Sequence, residues 1–156
     1  MGTRARAAHY LRQGDPNGRA PARFSGEQMQ AIAEGLFTDE SPPRLIGGQD
    51  RESGRKVFPC PPSDRYVPVP LQREGTLWSY TVQRFRPKSP PYEGPEAFTP
   101  FALGYVELPG ETIVEARLTG VEFDAIEIGM PLRLTSVPLD PDAAEPRAIP
   151  AFEPAA

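Results

Sequence analysis

FALGYVELPGETIVEARL, residues 101–118, is two runs of strand-forming residues joined at Pro109-Gly110. Ala102, Gly104, Val106 and Leu108 alternate with Phe101, Leu103, Tyr105 and Glu107. After the turn, Thr112, Val114, Ala116 and Leu118 oppose Ile113, Glu115 and Arg117. Period two with one apolar face is the pattern of a half-buried strand. Pro109 fixes φ near −65°, which excludes the tight two-residue turns that open with positive φ. The spacing therefore predicts a wider loop, Leu108 to Glu111, with Gly110 taking the positive φ.

Other stretches follow the same alternation. GTLWSYTVQRF, residues 75–85, places Thr76, Trp78, Tyr80 and Val82 on one face and Leu77, Ser79 and Thr81 on the other. Trp78 and Tyr80 share their face with Val82, which favours a core over a stacking platform. Asp124 to Pro131 reads as a turn of helix or a tight loop, and Leu132 to Leu139 as a strand. Ala148 to Phe152 reads as a last edge strand before a Pro-Ala tail. Short strands at close spacing predict a small Greek-key barrel or sandwich. Residues 86–100, RPKSPPYEGPEAFTP, read as a long proline-rich loop of the kind that is usually functional or mobile.

The totals narrow the class. The chain has 156 residues, a formal charge of −4 and 21 prolines. One domain with small appendages fits that length. Proline stands well above the ~5% of an average protein, which favours loops and short strands over long helices. An acidic surface has no general attraction for nucleic acid or anionic membrane. No apolar run approaches the ~20 residues of a membrane span, and the first residues lack the apolar core of a secretory signal. One cysteine, Cys60, excludes an internal disulfide framework and fits a reducing cytoplasm.

Upstream of the barrel, residues 1–23 carry five arginines against one acid and are broken at Gly14–Gly18. They read as a flexible basic arm, with docking on an acidic partner as the alternative. A mitochondrial presequence suits the composition less well, for want of a sustained apolar face. Ser25 is placed to cap a helix through Phe37, within a segment at residues 24–40. Met29, Ile32, Ala33, Leu36 and Phe37 make its apolar stripe, which packs on this chain or on a second protein.

Residues 41–72 then pair small residues in an unusual spacing. Asp50-x-x-Ser53 precedes Cys60-x-x-Ser63, as a zinc ribbon sets four ligands on two turns. Only Cys60 is a thiol, and serine is a poor zinc ligand, so these positions do not assemble a closed metal site.

The ordered set LIGG, GTLWSYTV, FALGYVEL, IVEARLTG and IGMPLRL resembles the zinc-ribbon/OB-fold proteins associated with acyl-CoA metabolism. The resemblance spans roughly Leu45 to Leu139. It implies a mainly β chain: an N-terminal helix, a degenerate rubredoxin-like zinc-ribbon segment, and a C-terminal OB-fold barrel over residues 73–156. It further implies a non-catalytic partner of a thiolase-like enzyme that helps to bind or shield a CoA thioester. Asp50, Ser53 and Ser63 stand where the resemblance puts cysteines. The segment is therefore expected to be metal-free and held by Val57, Phe58, Tyr66 and Val69. Met29, Ile32 and Phe37 are then the expected partner interface, and the chain by itself a monomer or homo-oligomer.

Catalytic residues are not apparent. Cys60 as a nucleophile needs a base, and the only histidine is His9 in the arm. Glu107, Glu111 and Glu115 fall on the solvent face of the hairpin, and no phosphate-binding glycine motif is present. Arg84, Arg86 and Lys88 form the compact basic cluster of the barrel region. They read either as a solvated loop start or as contacts to CoA phosphates or a partner's acidic rim. A stand-alone acyl-CoA-binding protein is the alternative reading, and a single-strand nucleic-acid-binding OB domain a more distant one.

Overall fold

The computed structural model describes residues 30–86 and 98–155. The basic arm, Met29, Lys88 and most of the proline-rich loop lie outside the described residues. The strands are β1 Gln30–Ala31, β2 Ile46–Asp50, β3 Lys56–Val57, β4 Tyr66–Pro70, β5 Glu74–Gln83, β6 Phe101–Leu108, β7 Thr112–Leu118, β8 Pro131–Pro138 and β9 Arg147–Pro154. A single 3-10 turn, Phe123–Ala125, is the one helical element among the described residues.

The hairpin at residues 101–118 forms as its alternation dictates. β6 and β7 pair in register from Ala102↔Leu118 to Leu108↔Thr112. Glu111 N donates to Leu108 O at 2.9 Å, and Gly110 takes φ 72°. Ala102, Val106, Leu108, Val114, Ala116 and Leu118 are all buried. The apolar face thus becomes the wall of a core.

β5, β6 and β7 form an antiparallel meander, β9 lies parallel to β7, and β8 pairs with both β9 and β5. The sheet therefore closes on itself. Counting the five barrel strands in chain order gives the cyclic order 1-2-3-5-4, which is the OB topology. Closure leaves no free edge among these five strands, which removes the pairing hazard of an open sheet. Gly75 makes the tight approach at the β5 crossing: a Cβ there would lie 2.4 Å from Glu107 O. The segment Ala148–Phe152, expected as an edge strand, lies inside the eight-residue β9, flanked by β8, β7 and β1. Ala148, Ala151 and Phe152 supply the buried side chains that let it sit centrally.

Two further readings are corrected. Residues 30–37 are not helical: Gln30 and Ala31 pair with Arg147 and Ala148, Ile32 N donates to Ala148 O at 2.9 Å, and Gly35 has φ 73°. Backbone bonding to β9 overrides the weak helical spacing of the apolar residues. Within β5, Leu77 faces Val106 and Ser79 faces Tyr105, so Trp78 is the extra residue of a bulge. Leu77 is buried at 1% exposure whereas Trp78 is 58% exposed. Trp78 is therefore not a core residue; Tyr80, registered opposite Gly104 on the face of Val82, is itself exposed, while Val82 packs against the core.

A second sheet, β3-β2-β4, carries the ribbon segment. It is tied to the barrel by Arg44, whose Nε donates to Leu71 O at 2.8 Å, and by Arg73, which donates to Pro43 O and Leu134 O. Glu111 accepts from Gln72 N at 3.1 Å and lies 3.8 Å from Lys56 Nζ, stapling the hairpin loop to the ribbon. Phe37, Leu45 and Leu71 are buried and join the barrel core.

Candidate functional site

The turns of the ribbon come first, because the sequence places its ligand-like residues there. The turn after β2 is closed by Gly54 N donating to Asp50 O at 2.9 Å, and Ser53 Oγ accepts from Arg55 N at 3.3 Å. Before β4, Ser63 Oγ accepts from Arg65 N at 3.2 Å. Asp50 is buried, and Arg65 reaches both its oxygens, Nε at 3.1 Å from each and Nη2 at 2.8 Å from Oδ2. Glu52 N adds a bond to Oδ1 at 3.0 Å. The Arg65 hydrogen bonds, with help from the Glu52 amide, hold the Asp50 carboxyl far below the usual carboxylate range.

These residues do not suit a tetrahedral zinc. The one carboxylate is already neutralised by a guanidinium, and the two serine oxygens accept backbone N–H groups. Asp50 and Ser53 share a depression of about 460 Å³ with Arg65 and Tyr66, and neither Cys60 nor Ser63 lines it. Burial pushes the Cys60 thiol up, opposite to what a nucleophile or a metal ligand needs. Among the described residues, no group of three histidine, cysteine, aspartate or glutamate side chains converges.

The second feature is a cleft of about 510 Å³ at one end of the barrel. Its walls come from the start of β6, the end of β7, the loop through Phe123 and the end of β8. Two arginine–phenylalanine pairs mark it. The Arg117 guanidinium carbon lies 3.9 Å from the Phe101 ring centre, and that of Arg84 lies 5.8 Å from the Phe123 ring centre. Phe98 meets Phe101 edge to face at 5.8 Å. The cleft lining is mostly apolar, with one guanidinium, Arg117, and one carboxylate, Asp142, so it suits an elongated molecule with a polar end. Of the expected cationic residues, Arg84 lies over the ring of Phe123, a cleft residue, without itself lining the cleft; Arg86 is exposed, and Lys88 is outside the described residues. Arg117 was missed because it reads in sequence as an outward residue of the hairpin. The signal was its register opposite Leu103, two residues from Phe101.

The third feature is an exposed apolar row on the outside of the barrel. Ile128 is 68% exposed, Trp78 58%, Ile113 41% and Tyr105 40%. Residues 129 and 130 bond to the backbone of Leu77, beside Trp78, and Tyr105 pairs with Ser79 and Glu115. Exposed Glu107, Glu115 and Glu127 accompany the row. Glu115 pushes the Tyr105 phenol up, by its charge first and its hydrogen bond second. The expected interface residues behave differently: Phe37 is 6% exposed within this chain's own core, and Ile32 is half-buried beside β9.

Comparison with known proteins now bears on the barrel. Residues 68–137 match the family model described as ChsH2, C-terminal OB-fold domain. The matched stretch is similar to that domain over β5 to β8, and β9 lies beyond it. Among solved structures, the chain is similar to one from "Ltp2-ChsH2(DUF35) aldolase", at 29% sequence identity and a TM-score of 0.55. That likeness covers 72% of this chain and 86% of the other. No curated protein matches the chain. The ChsH2-like match runs from inside β4 to the end of β8, so it takes in the bulged strand, the hairpin and most of the cleft wall.

Proposed function

We propose that this chain is a non-catalytic subunit that completes an enzyme acting on a CoA thioester, with a thiolase-like protein as its partner. The observation that supports this best is its likeness to a chain of a two-protein aldolase over most of both lengths. That name makes an aldol-type carbon–carbon bond reaction the preferred chemistry for the pair. The chain itself offers, at Cys60, a thiol that burial pushes up and leaves unactivated. The apolar row through Trp78 gives the partner a place to bind, in place of the Met29, Ile32 and Phe37 face. Its acidic surroundings favour a partner patch bordered by lysine or arginine. A cytoplasmic location belongs to the same reading.

The CoA end of the proposal rests on the cleft. On this reading Arg84 and Arg117 would meet phosphate oxygens and the acyl portion would lie against Phe101 and Leu118; the two arginine–phenylalanine pairs support it. Arg84→Glu and Arg117→Glu should each weaken acetyl-CoA binding to the assembled complex by about tenfold, near 1.4 kcal/mol, in calorimetric titration. Assembly itself should be unchanged. Equal affinity in both variants would remove the cleft from the proposal. Tight acetyl-CoA binding by the isolated chain would favour the stand-alone carrier instead.

Exposed Trp78 and Tyr105 also raise a base-stacking role. Glu107 and Glu115 beside them repel a phosphate backbone, and single-strand binding depends on the opposite charge. A fluorescence polarisation titration with an oligonucleotide should show no micromolar affinity at physiological salt. A salt-sensitive micromolar isotherm would establish the nucleic-acid reading.

A further inference from the structure

We infer that the Asp50–Arg65 ion pair is the cross-link of the ribbon, linking the same two turns that a metal joins in a zinc ribbon. A structural metal links two distant turns and neutralises the charge of its ligands. The pair has both properties. Asp50 ends β2 and Arg65 immediately precedes β4, so the bond spans the two turns that hold the x-x pairs. Its geometry is two-pronged, with Nε and Nη2 of Arg65 both directed at the carboxylate, which is the strong form of this interaction.

The backbone around the pair is organised to the same end. Arg51 N donates to Arg65 O at 2.9 Å and Arg51 Nε to Asp64 O at 2.7 Å, so the first turn also bonds to the second through main chain. Asp50 N donates to Arg55 O at 2.8 Å. The former ligand positions keep a bonding role: Asp50, Ser53 and Ser63 each accept the amide two residues ahead. Glu52 lies 3.8 Å from Arg65 Nη2 but is exposed, so it adds little beside the buried Asp50 contact. No unpartnered buried side-chain atom remains among the described residues, so the turn region needs no further group to satisfy it.

The inference does not depend on the partner reading, and its test uses the full-length chain. Asp50→Asn, Arg65→Met and the double variant are compared by amide hydrogen exchange at Arg51, Gly54 and Tyr66, whose N–H groups close these turns. Each single variant should exchange at least about tenfold faster there, while amides of β6 and β7 stay protected. The double variant should be no worse than the poorer single, because each single leaves one charge without its partner. Elemental analysis of the natural protein should find no stoichiometric zinc, and a chelator should leave the three amides unchanged. Unchanged exchange in the single variants, or strictly additive losses in the double, would overturn the assignment. So would about one zinc per chain whose removal exposes these amides. If a variant failed to fold altogether, the metal analysis and the chelator experiment on the natural protein would still decide.

Discussion

Phe152→Ala should cost the barrel about 3–5 kcal/mol, read from the shift in its chemical-denaturation midpoint. Phe152 has no exposed surface and is among the largest fully buried side chains. It pairs with Leu118 on one side and Leu134 on the other, and its carbonyl accepts Thr119 N at 2.9 Å. The alanine variant would leave a cavity at the seam where the barrel closes, with walls fixed by backbone bonding that cannot collapse inwards. A domain of this size is usually stable by only ~5–15 kcal/mol, so the loss is a large share of the total. Phe152→Leu, which keeps most of the volume, should cost less than ~1.5 kcal/mol. A loss below ~1 kcal/mol for the alanine variant would mean that Phe152 is not the plug of the closed barrel.

The second large effect is on assembly. Trp78→Asp together with Ile128→Asp should abolish the complex proposed with a thiolase-like subunit. Buried tryptophan at an interface centre commonly contributes at least ~2 kcal/mol, about thirtyfold in affinity, and aspartate adds the burial of a charge. Both positions are largely solvent-exposed in the isolated chain, so its own stability should move by no more than about 0.5 kcal/mol. That contrast separates a binding face from a folding face. Co-expression followed by size-exclusion chromatography with light scattering reads both the complex and the oligomeric state of the free chain. Persistence of the complex in the double variant would take the row out of the interface. Absence of any complex with the natural protein would remove the partner proposal itself.

Some of this architecture is readable from residues 101–118 alone. Alternation fixed the buried face of the hairpin, and Pro109 with Gly110 fixed its loop, because local sterics and burial point the same way there. In β5 they do not. A bulge at Trp78 shifts the parity of the strand, and nothing in GTLWSYTV marks which residue is the extra one. Trp78 was consequently assigned to the core, and the interface to the stripe at residues 29–37. That stripe has helical spacing, but Phe37 joins the core and bridges to Leu45, and Ile32 bonds to Ala148 of β9, more than a hundred positions away. Asp50 and Arg65 were both visible in sequence. What concealed their relation is that metal-site spacing directs attention to ligands, whereas the residue answering Asp50 is a counter-ion just beyond the second pair. Arg117 escaped for a similar reason: only the register places it over Phe101.

β9 has a consequence for the order in which the molecule is made. It contributes to three seams at once, with β1, β7 and β8, and is the last of the barrel strands to be synthesised. Until residues 147–154 emerge from the ribosome, β8, β5, β6 and β7 make an open sheet whose outer strands β7 and β8 lack the partner that joins them. The nascent chain is therefore most vulnerable to aggregation and proteolysis in the interval before β9 is available. A message truncated before Arg147 would yield an open, sticky sheet in place of a shorter but sound domain.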